Sequence, residues 1–573
     1  MIFVLLVGVG WIVVTGLMAR HQADQMRREL GQLRSALLHG DSARASDLEA
    51  SMRQQASRAR SLTAGPAWWT ATKIPYLGDA ATTARGATAV VDELANDVLP
   101  KAVSARSFLK PADLRLSSDQ VDVARIQQAA LPLTAASTQS DALLARANAL
   151  PGHTWLGIVN SSRSDLISSA TSVVDQIHQL AAVTAWLPNA LGADRPRHYL
   201  VVFQTDSESR GLGGLPGSWA LLAARNGKLK FTRFGADTDI RRITVHPGLT
   251  KHYRHEYKLL FHHHYRPYRS WANSDPSPHF PVAAKIWMAM WQKRYGIHLN
   301  GALTTDPVAL RFMLPTTGKI TLSDGMVINA RNVAPFFEHQ IYLKFASAGT
   351  AVRKQYQQDA AKAVAERILS SGAKSLPGLT RGVRQAINNR RLMIFTRNRA
   401  IERVLLSHRV GGALPKVTNP FVAVTMNMVR AGKMGYYLRR SITYDRPSCG
   451  ATTSTVTMKI HNTAPSEGLN QRIAGSYAYG PLSGSTIVVP ALYATYGSTP
   501  VSVSYDGKHR VFRYKHERHH PVMMGPRLFL HPGQTRTVVF TVKEPPATGR
   551  FMTIRQPGVG PLKQTVNMPN CGG

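Results

Sequence analysis

Residues 199–218, YLVVFQTDSESRGLGGLPGS, run an apolar strand pattern straight into polar, charged and glycine-dense sequence. A strand that ends this abruptly presents its loop at a sheet edge, a common place for functional groups. The next segment, WALLAARNGKLKFTRF, reads as two strands joined at Asn226-Gly227, the dipeptide best suited to the positive φ angles of a two-residue hairpin turn. Gln204, Asp206, Glu208 and Arg210 are therefore expected side by side next to a sheet.

The 573 residues are too many for one core, and the chain divides by pattern into four parts, giving a multidomain α+β fold. Residues 1–18, MIFVLLVGVGWIVVTGLM, carry no charge and would form a helix of about 27 Å, enough to cross a bilayer core. This is the expected transmembrane anchor. Residues 19–186 read as a helical bundle: Met26, Leu30, Leu33 and Leu37 recur at spacings of three and four. Asp41 or Ser42 can cap a second helix striped by Leu48, Met52, Ala56 and Ala59. Further helices are expected at about 79–98, 117–150 and 158–184, and AWLPNALGADRPRHYL (185–200) has the composition of a linker. Residues 187–443 form the expected central α/β domain with a mixed sheet. In it Asp306-Pro307 starts a helix, KITLSDGMVI makes a hairpin, residues 351–371 form a helix, and LMIFT, FVAVTMN and YYLRRSITY add strands. Beyond about residue 446 helices vanish, and alternating runs such as STVTMKIHN and TRTVVFTVK predict a C-terminal antiparallel β sandwich over 444–573.

The 70 Lys and Arg against 33 Asp and Glu give a formal charge of +37, so the chain attracts polyanions. Nucleic acid, anionic lipid and phosphate-bearing wall polymer are all eligible until its compartment is considered. A literal positive-inside reading of Arg20, Arg27, Arg28 and Arg34 after the apolar run would keep the body in the cytoplasm. The two cysteines point outward instead. Cys449 and Cys571 open and close the C-terminal domain, where a disulfide would staple its ends in an oxidising compartment; the alternative is two unpaired thiols in a reducing cytosol. An extracytoplasmic body excludes nucleic acid as the expected partner and leaves the bilayer and anionic envelope polymers.

The glycine run fails both nucleotide tests: Pro216 stands where a dinucleotide fingerprint needs glycine, and no lysine precedes Ser218. Two readings remain. Either the backbone at Gly213 and Gly214 approaches an anion, with Gln204 and Arg210 beside it, or the glycines only make a tight turn and Arg210 neutralises Asp206 or Glu208. In the histidine-rich stretch 251–269, His252, His255 and Glu256 would share a helical face, but Leu259 breaks the HExxH metalloprotease pattern. A solvated basic loop is the expected reading there, and the same discount applies to His516, His519 and His520. Arg353, Lys354 and Gln355 open the helix at 351, where an anion is favoured. No activated nucleophile stands out.

YLVVFQTDSESRGLGGLPGSWALLAARNGKL, followed by FPVAAKIW, GALTTDPVALRFMLPTTGKITL and GKMGYYLRRSITY, resembles a family of membrane-anchored bacterial envelope proteins catalogued as domain of unknown function 4012. The resemblance implies an N-terminal anchor and an extracytoplasmic body in the cell envelope. A fainter likeness links the α/β region to the LytR-CpsA-Psr ligases, which move glycopolymers from a polyprenyl-pyrophosphate carrier onto peptidoglycan. That likeness implies that Arg210 and Arg353 grip pyrophosphate while Asp206 or Glu208 holds a divalent metal such as Mg2+. The ligases' Pro-Arg-Asp motif is absent, with Gly235-Ala236-Asp237-Thr238-Asp239 in its place. The expected function is binding or organising anionic wall or capsule polymer at the membrane. The alternative is metal-dependent transfer of glycopolymer from a polyprenyl-phosphate-linked donor.

Overall fold

The computed structural model describes residues 2–571 except 40–41, 110–112, 118, 250–252, 255–256, 258–259, 261–265, 372–375 and 548. The side chains of 1–10, 23, 27, 34, 37–39, 42, 106–107, 376 and 476 also lie outside the described residues. So do His252, His255 and Glu256 and the capping position at Asp41. The chain separates into two compact units, Met1–Leu116 with Val121–Asp194, and Ser117–Gln120 with Arg195–Gly573.

The first unit is helical. Its long helices are Ile2–His39, Ser42–Ala64, Gly78–Glu93, Val123–Ala149 and Gly157–Ala190, close to the spans that the apolar spacing predicts. Met26, Leu33, Leu48, Met52 and Ala56 are buried together with Val98, Leu143 and Ile177, so the stripes at three- and four-residue spacing face each other as core. The expected linker at 185–200 is helical through Ala190 instead, with Pro188 inside the last turns. One missing backbone bond near the end of a helix this long is tolerated.

The expected membrane-spanning helix of 1–18 is not supported as such. The apolar run is the first half of the 38-residue helix Ile2–His39. Among the described residues no helix is long and apolar enough to cross a membrane, and the side chains of 1–10 lie outside them.

The second unit holds three sheets that matter for the site. In the mixed sheet the main strands run in the order Lys228–Ala236, Gly213–Arg225, Arg197–Arg210, Gly301–Thr305, Met393–Thr396. Only Arg197–Arg210 and Gly301–Thr305 pair in parallel among these. Asn226 and Gly227 take φ of 47° and 76°, as their hairpin requires. Asp306 caps the helix Pro307–Thr317 by accepting a hydrogen bond from Ala309 N at 2.7 Å.

The strands Phe421–Met428 and Leu438–Asp445, expected in the central domain, pair instead with C-terminal strands. Phe421–Met428 lies between Thr486–Tyr493 and Met552–Arg555, and Leu438–Asp445 between Thr453–Asn462 and Leu562–Asn567. Each of these two sheets ends in a parallel pair, so neither is purely antiparallel. Val424, Met426 and Met428 pack with Met458, Ile460 and Phe540 inside the sandwich. Alternate residues of the same sheet, Ala423, Ala491 and Tyr493, pack with Leu200, Trp219 and Trp287 of the α/β layer. The sheet is covered on both faces, which is why all eight residues of FVAVTMNM are buried and the strand shows no alternation. Among the described residues a short helix, Gln471–Ala474, and the 3-10 turn Gly475–Tyr477 after it interrupt the otherwise β-rich C-terminus.

Cys449 and Cys571 form a disulfide with Cα atoms 5.5 Å apart, the pairing read from their positions at the two ends of the C-terminal domain.

Candidate functional site

The strand Arg197–Arg210 and its partner Gly213–Arg225 pair regularly up to Thr205, opposite Leu215, and resume at Ser209, opposite Gly214. Asp206, Ser207 and Glu208 therefore bulge out of the ladder, re-aiming their side chains as β-bulges do. A Cβ on Gly214 would stand 2.3 Å from the Thr205 carbonyl carbon, so this position needs glycine for the two backbones to close. Gly213 and Gly214 are paired residues of the strand Gly213–Arg225, and Gly211-Leu212 make the turn that leads into it. The free backbone N–H groups of the bulge are taken internally: Asp206 N and Ser207 N donate to the two carboxylate oxygens of Glu338 at 3.0 and 2.8 Å.

Of the residues singled out in sequence, Gln204 and Arg210 end in the interior. Gln204 donates to Gly214 O at 3.1 Å and to Asp275 Oδ2 at 3.0 Å. Arg210, 5% exposed, donates to Met428 O at 3.0 Å and Asn273 Oδ1 at 2.9 Å, clasping the strand end to the sandwich. Burial lowers its pKa, while Glu208 and Asp275 act to raise it.

Asp206 and Glu208 each have a protein cation. Asp206 Oδ2 lies 2.7 Å from Arg391 Nη1, which also lies 2.9 Å from Asp306 Oδ2; Glu208 Oε1 accepts from Lys433 Nζ. A divalent ion would have to displace these cations, and among the described residues no group of three or more His, Cys, Asp or Glu is placed to hold a metal. Burial raises the Asp306 and Glu338 carboxyls, and the Asp206 charge raises both further. Asp275 is pushed up to about 7 by burial against the pull of Arg210 and Gln204.

Glu208 and Arg353 do share a site. A cavity of about 150 Å³ is lined by Glu208, Asp237, Tyr342, Arg353, Lys354 and Lys433, with Thr205, Leu215, Gly217, Ser218, Ala236, Gln357 and Gln358 completing its wall. The strand ends supply Glu208 and Asp237; the helix Thr350–Leu369 supplies Arg353, Lys354 and Gln357. Lys354 Nζ donates to Asp237 Oδ1 and, at 3.0 Å, to Thr238 Oγ1. The Arg353 guanidinium and the Lys433 ammonium lie 4.9 and 4.7 Å from the centroid of one ring, Tyr342, an arrangement a π face favours.

Three cations thus face two carboxylates. Burial would raise Glu208, but Lys433 and Arg210 more than offset it and its pKa falls below the ordinary value. Lys433 is lowered by burial and raised further by Glu208, ending above the ordinary lysine range. Both stay charged at neutral pH, so their pair cancels, as does Lys354 with Asp237. Arg353 is left with the excess. It is 8% exposed and donates from Nη1 to Gln357 at 2.9 Å, and among the described residues its Nε makes no hydrogen bond. The lining therefore carries one more cation than carboxylate, with the Arg353 guanidinium over the Tyr342 ring.

Sequence reasoning found Glu208 and Arg353 but missed Tyr342 and Lys433, whose positions 134 and 225 residues from Glu208 follow only from the fold; Lys433 lies within the GKMGYY segment that carries the family resemblance. A second, smaller cavity of about 30 Å³ shares Thr205, Ser218 and Gln357 with the first and is otherwise lined mainly by apolar residues, among them Phe203, Leu310, Phe337 and Val364.

Comparison with curated proteins and with solved structures finds no match. Residues 194–342 match the family model described as protein of unknown function (DUF4012). The match contains the bulge and Tyr342 and ends before Arg353 and Lys433. Over that stretch the chain carries the DUF4012 domain that its 199–218 segment resembles.

Proposed function

We propose that this chain is a membrane-anchored protein of the cell envelope, with an extracytoplasmic body, that binds phosphate-type groups of anionic wall or capsule polymers in the cavity around Arg353. The observation that carries this reading is the Arg353 guanidinium, buried on the wall of a polar cavity of about 150 Å³ and, among the described residues, without an ion-paired carboxylate. The apolar run of 1–18 supports the anchor, the disulfide supports an oxidising compartment, and the charge of +37 supports a polyanion.

The test is equilibrium binding of a phosphate-bearing wall polymer, with inorganic pyrophosphate as the minimal probe, to the chain and to Arg353→Ala. Loss of a buried charge-assisted contact should weaken binding roughly 10- to 100-fold, whereas the part of polymer affinity that comes from exposed cations should fall as salt is added. Unchanged affinity in the variant rejects the site.

The transferase reading is favoured by one feature, the small apolar cavity of about 30 Å³ that shares three residues with the polar one and has room for no more than the start of a lipid chain beside a phosphate head. Transfer from a lipid-pyrophosphate donor with and without Mg2+, in the same Arg353→Ala variant, separates binding alone from catalysis. Arg210→Ala is unsuited to this purpose because Arg210 holds the interior together.

A further inference from the structure

The helical unit exposes a coherent apolar and aromatic face at one place. The segment PAWWTATKIPY begins with the short helix Pro66–Ala71, whose adjacent tryptophans point to opposite sides. Trp68 is 4% exposed, and its Nε1–H donates to Thr15 Oγ1 at 3.0 Å. Ala71, Ala81 and Ile12 pack beside it. Trp69 is 55% exposed, and Ile74 and Tyr76 are exposed with it. The turn that follows is tied by backbone bonds from Lys73 N to Thr70 O, Ile74 N to Ala71 O and Gly78 N to Ile74 O, so the backbone that presents these side chains is held in place. Tyr76 is 91% exposed on a backbone with φ of 67°, a conformation that costs free energy for a bulky residue. Packing within the unit gives no reason for an aromatic ring there.

The same level of the first helix continues the face. Thr15 and Ala19 point inward, whereas Trp11, Val13, Val14, Leu17 and Met18 are exposed. The chain is free of charge from residue 1 to 18, and Arg20 is its first charged residue. Trp68 docks at Thr15, so the uncharged helix extends roughly 20 Å beyond the aromatic segment. Tryptophan and tyrosine rings, with a lysine beside them, gather where a membrane helix leaves the hydrocarbon. Lys73, its Nζ 5.8 Å from the Trp69 ring, is the cation that anionic headgroups would meet.

We infer that Trp69, Lys73, Ile74 and Tyr76 form a bilayer-docking element that seats the helical unit in the headgroup layer around the first helix. This rests on the anchor reading above and deepens it: the membrane is gripped by an aromatic foot as well as by a tether. Docking also accounts for the strained, solvent-facing Tyr76, whose ring would be half-buried among lipid.

The two cysteines of the chain are paired, so a single new thiol can be labelled in the full-length protein. Trp69→Cys and Tyr76→Cys, with Leu131→Cys as an exposed control in the same unit, each carry an environment-sensitive fluorophore. The labelled chain is reconstituted into vesicles of phosphatidylcholine and phosphatidylglycerol. Labels at 69 and 76 should lose iodide quenching several-fold and be quenched by headgroup spin-labelled lipid, while the label at 131 stays open to iodide. If the chain floats with the vesicles but 69 and 76 remain as open as 131, the docking element is refuted and the anchor stands. If the chain does not float, the anchor reading fails and docking with it. Shielding that grows with protein concentration without lipid quenching overturns the proposal in favour of a second copy, and shielding that appears only when another protein is added overturns it in favour of a protein partner.

Discussion

Asp275 shows how a single buried side chain can set a pH response. It is 1% exposed and accepts from Gln204, and burial holds its carboxyl up to about 7 in the folded chain against 3.8 when exposed. Between those values the folded state keeps a proton that the unfolded state releases. The stability from this group is therefore complete below pH about 4 and is lost as pH rises through about 7. Asp275→Asn carries no such proton and can still accept from Gln204. Denaturant unfolding near pH 5 and near pH 8 should show the parent losing more stability than the variant, by up to roughly 1.4 kcal/mol per pH unit within the window. Identical pH slopes would mean that Arg210 keeps Asp275 ionised throughout.

At the scale of elements, the bulge of Asp206, Ser207 and Glu208 is the device that turns a strand end into a site, and Gly214 is what allows it. With a Cβ 2.3 Å from Thr205 backbone atoms, Gly214→Ala must push the hairpin apart. It should cost about 1–3 kcal/mol and move Glu208 away from Lys433. Thermal unfolding, together with the affinity for pyrophosphate, checks both effects; full stability with unaltered binding would show that the ladder can shift. Much of this was legible beforehand, because hairpin dipeptides, the Asp306 cap and the helix at Thr350–Leu369 are written in local residue chemistry. The bulge was not, since the ladder breaks through a two-strand mismatch that neither strand shows alone. The same limit applies to FVAVTMNM: a strand covered on both faces carries no period-2 signal, so its residues could not announce that it belongs to the sandwich. The site was half legible for the same reason, with Glu208 and Arg353 visible on their own elements and Tyr342 and Lys433 added only by the packing between them.

On the scale of the whole second unit, the two-sided sheet ties the α/β layer to the sandwich through Phe421–Met428, so loosening the C-terminus should be felt beyond it. The last strand, Leu562–Asn567, is half-exposed and pairs along one edge with Leu438–Asp445. Little apolar burial holds it. The Cys449–Cys571 bond pins the residues on either side of this pairing and closes 122 residues. In the chain-entropy account such a closure is worth roughly 5 kcal/mol against the unfolded state. Replacing both cysteines with serine should lower the Tm of this unit by about 5–10 °C and raise amide exchange first in 562–567. Because Gln556, a few residues before that strand, donates to Arg210 O and Met426 O, the exchange should spread from the last strand to the Arg210 clasp ahead of the rest of the mixed sheet. Calorimetry with residue-resolved exchange measures both, and an unchanged Tm, or exchange confined to the terminal strand, would show that the sheets hold the C-terminus without the bond.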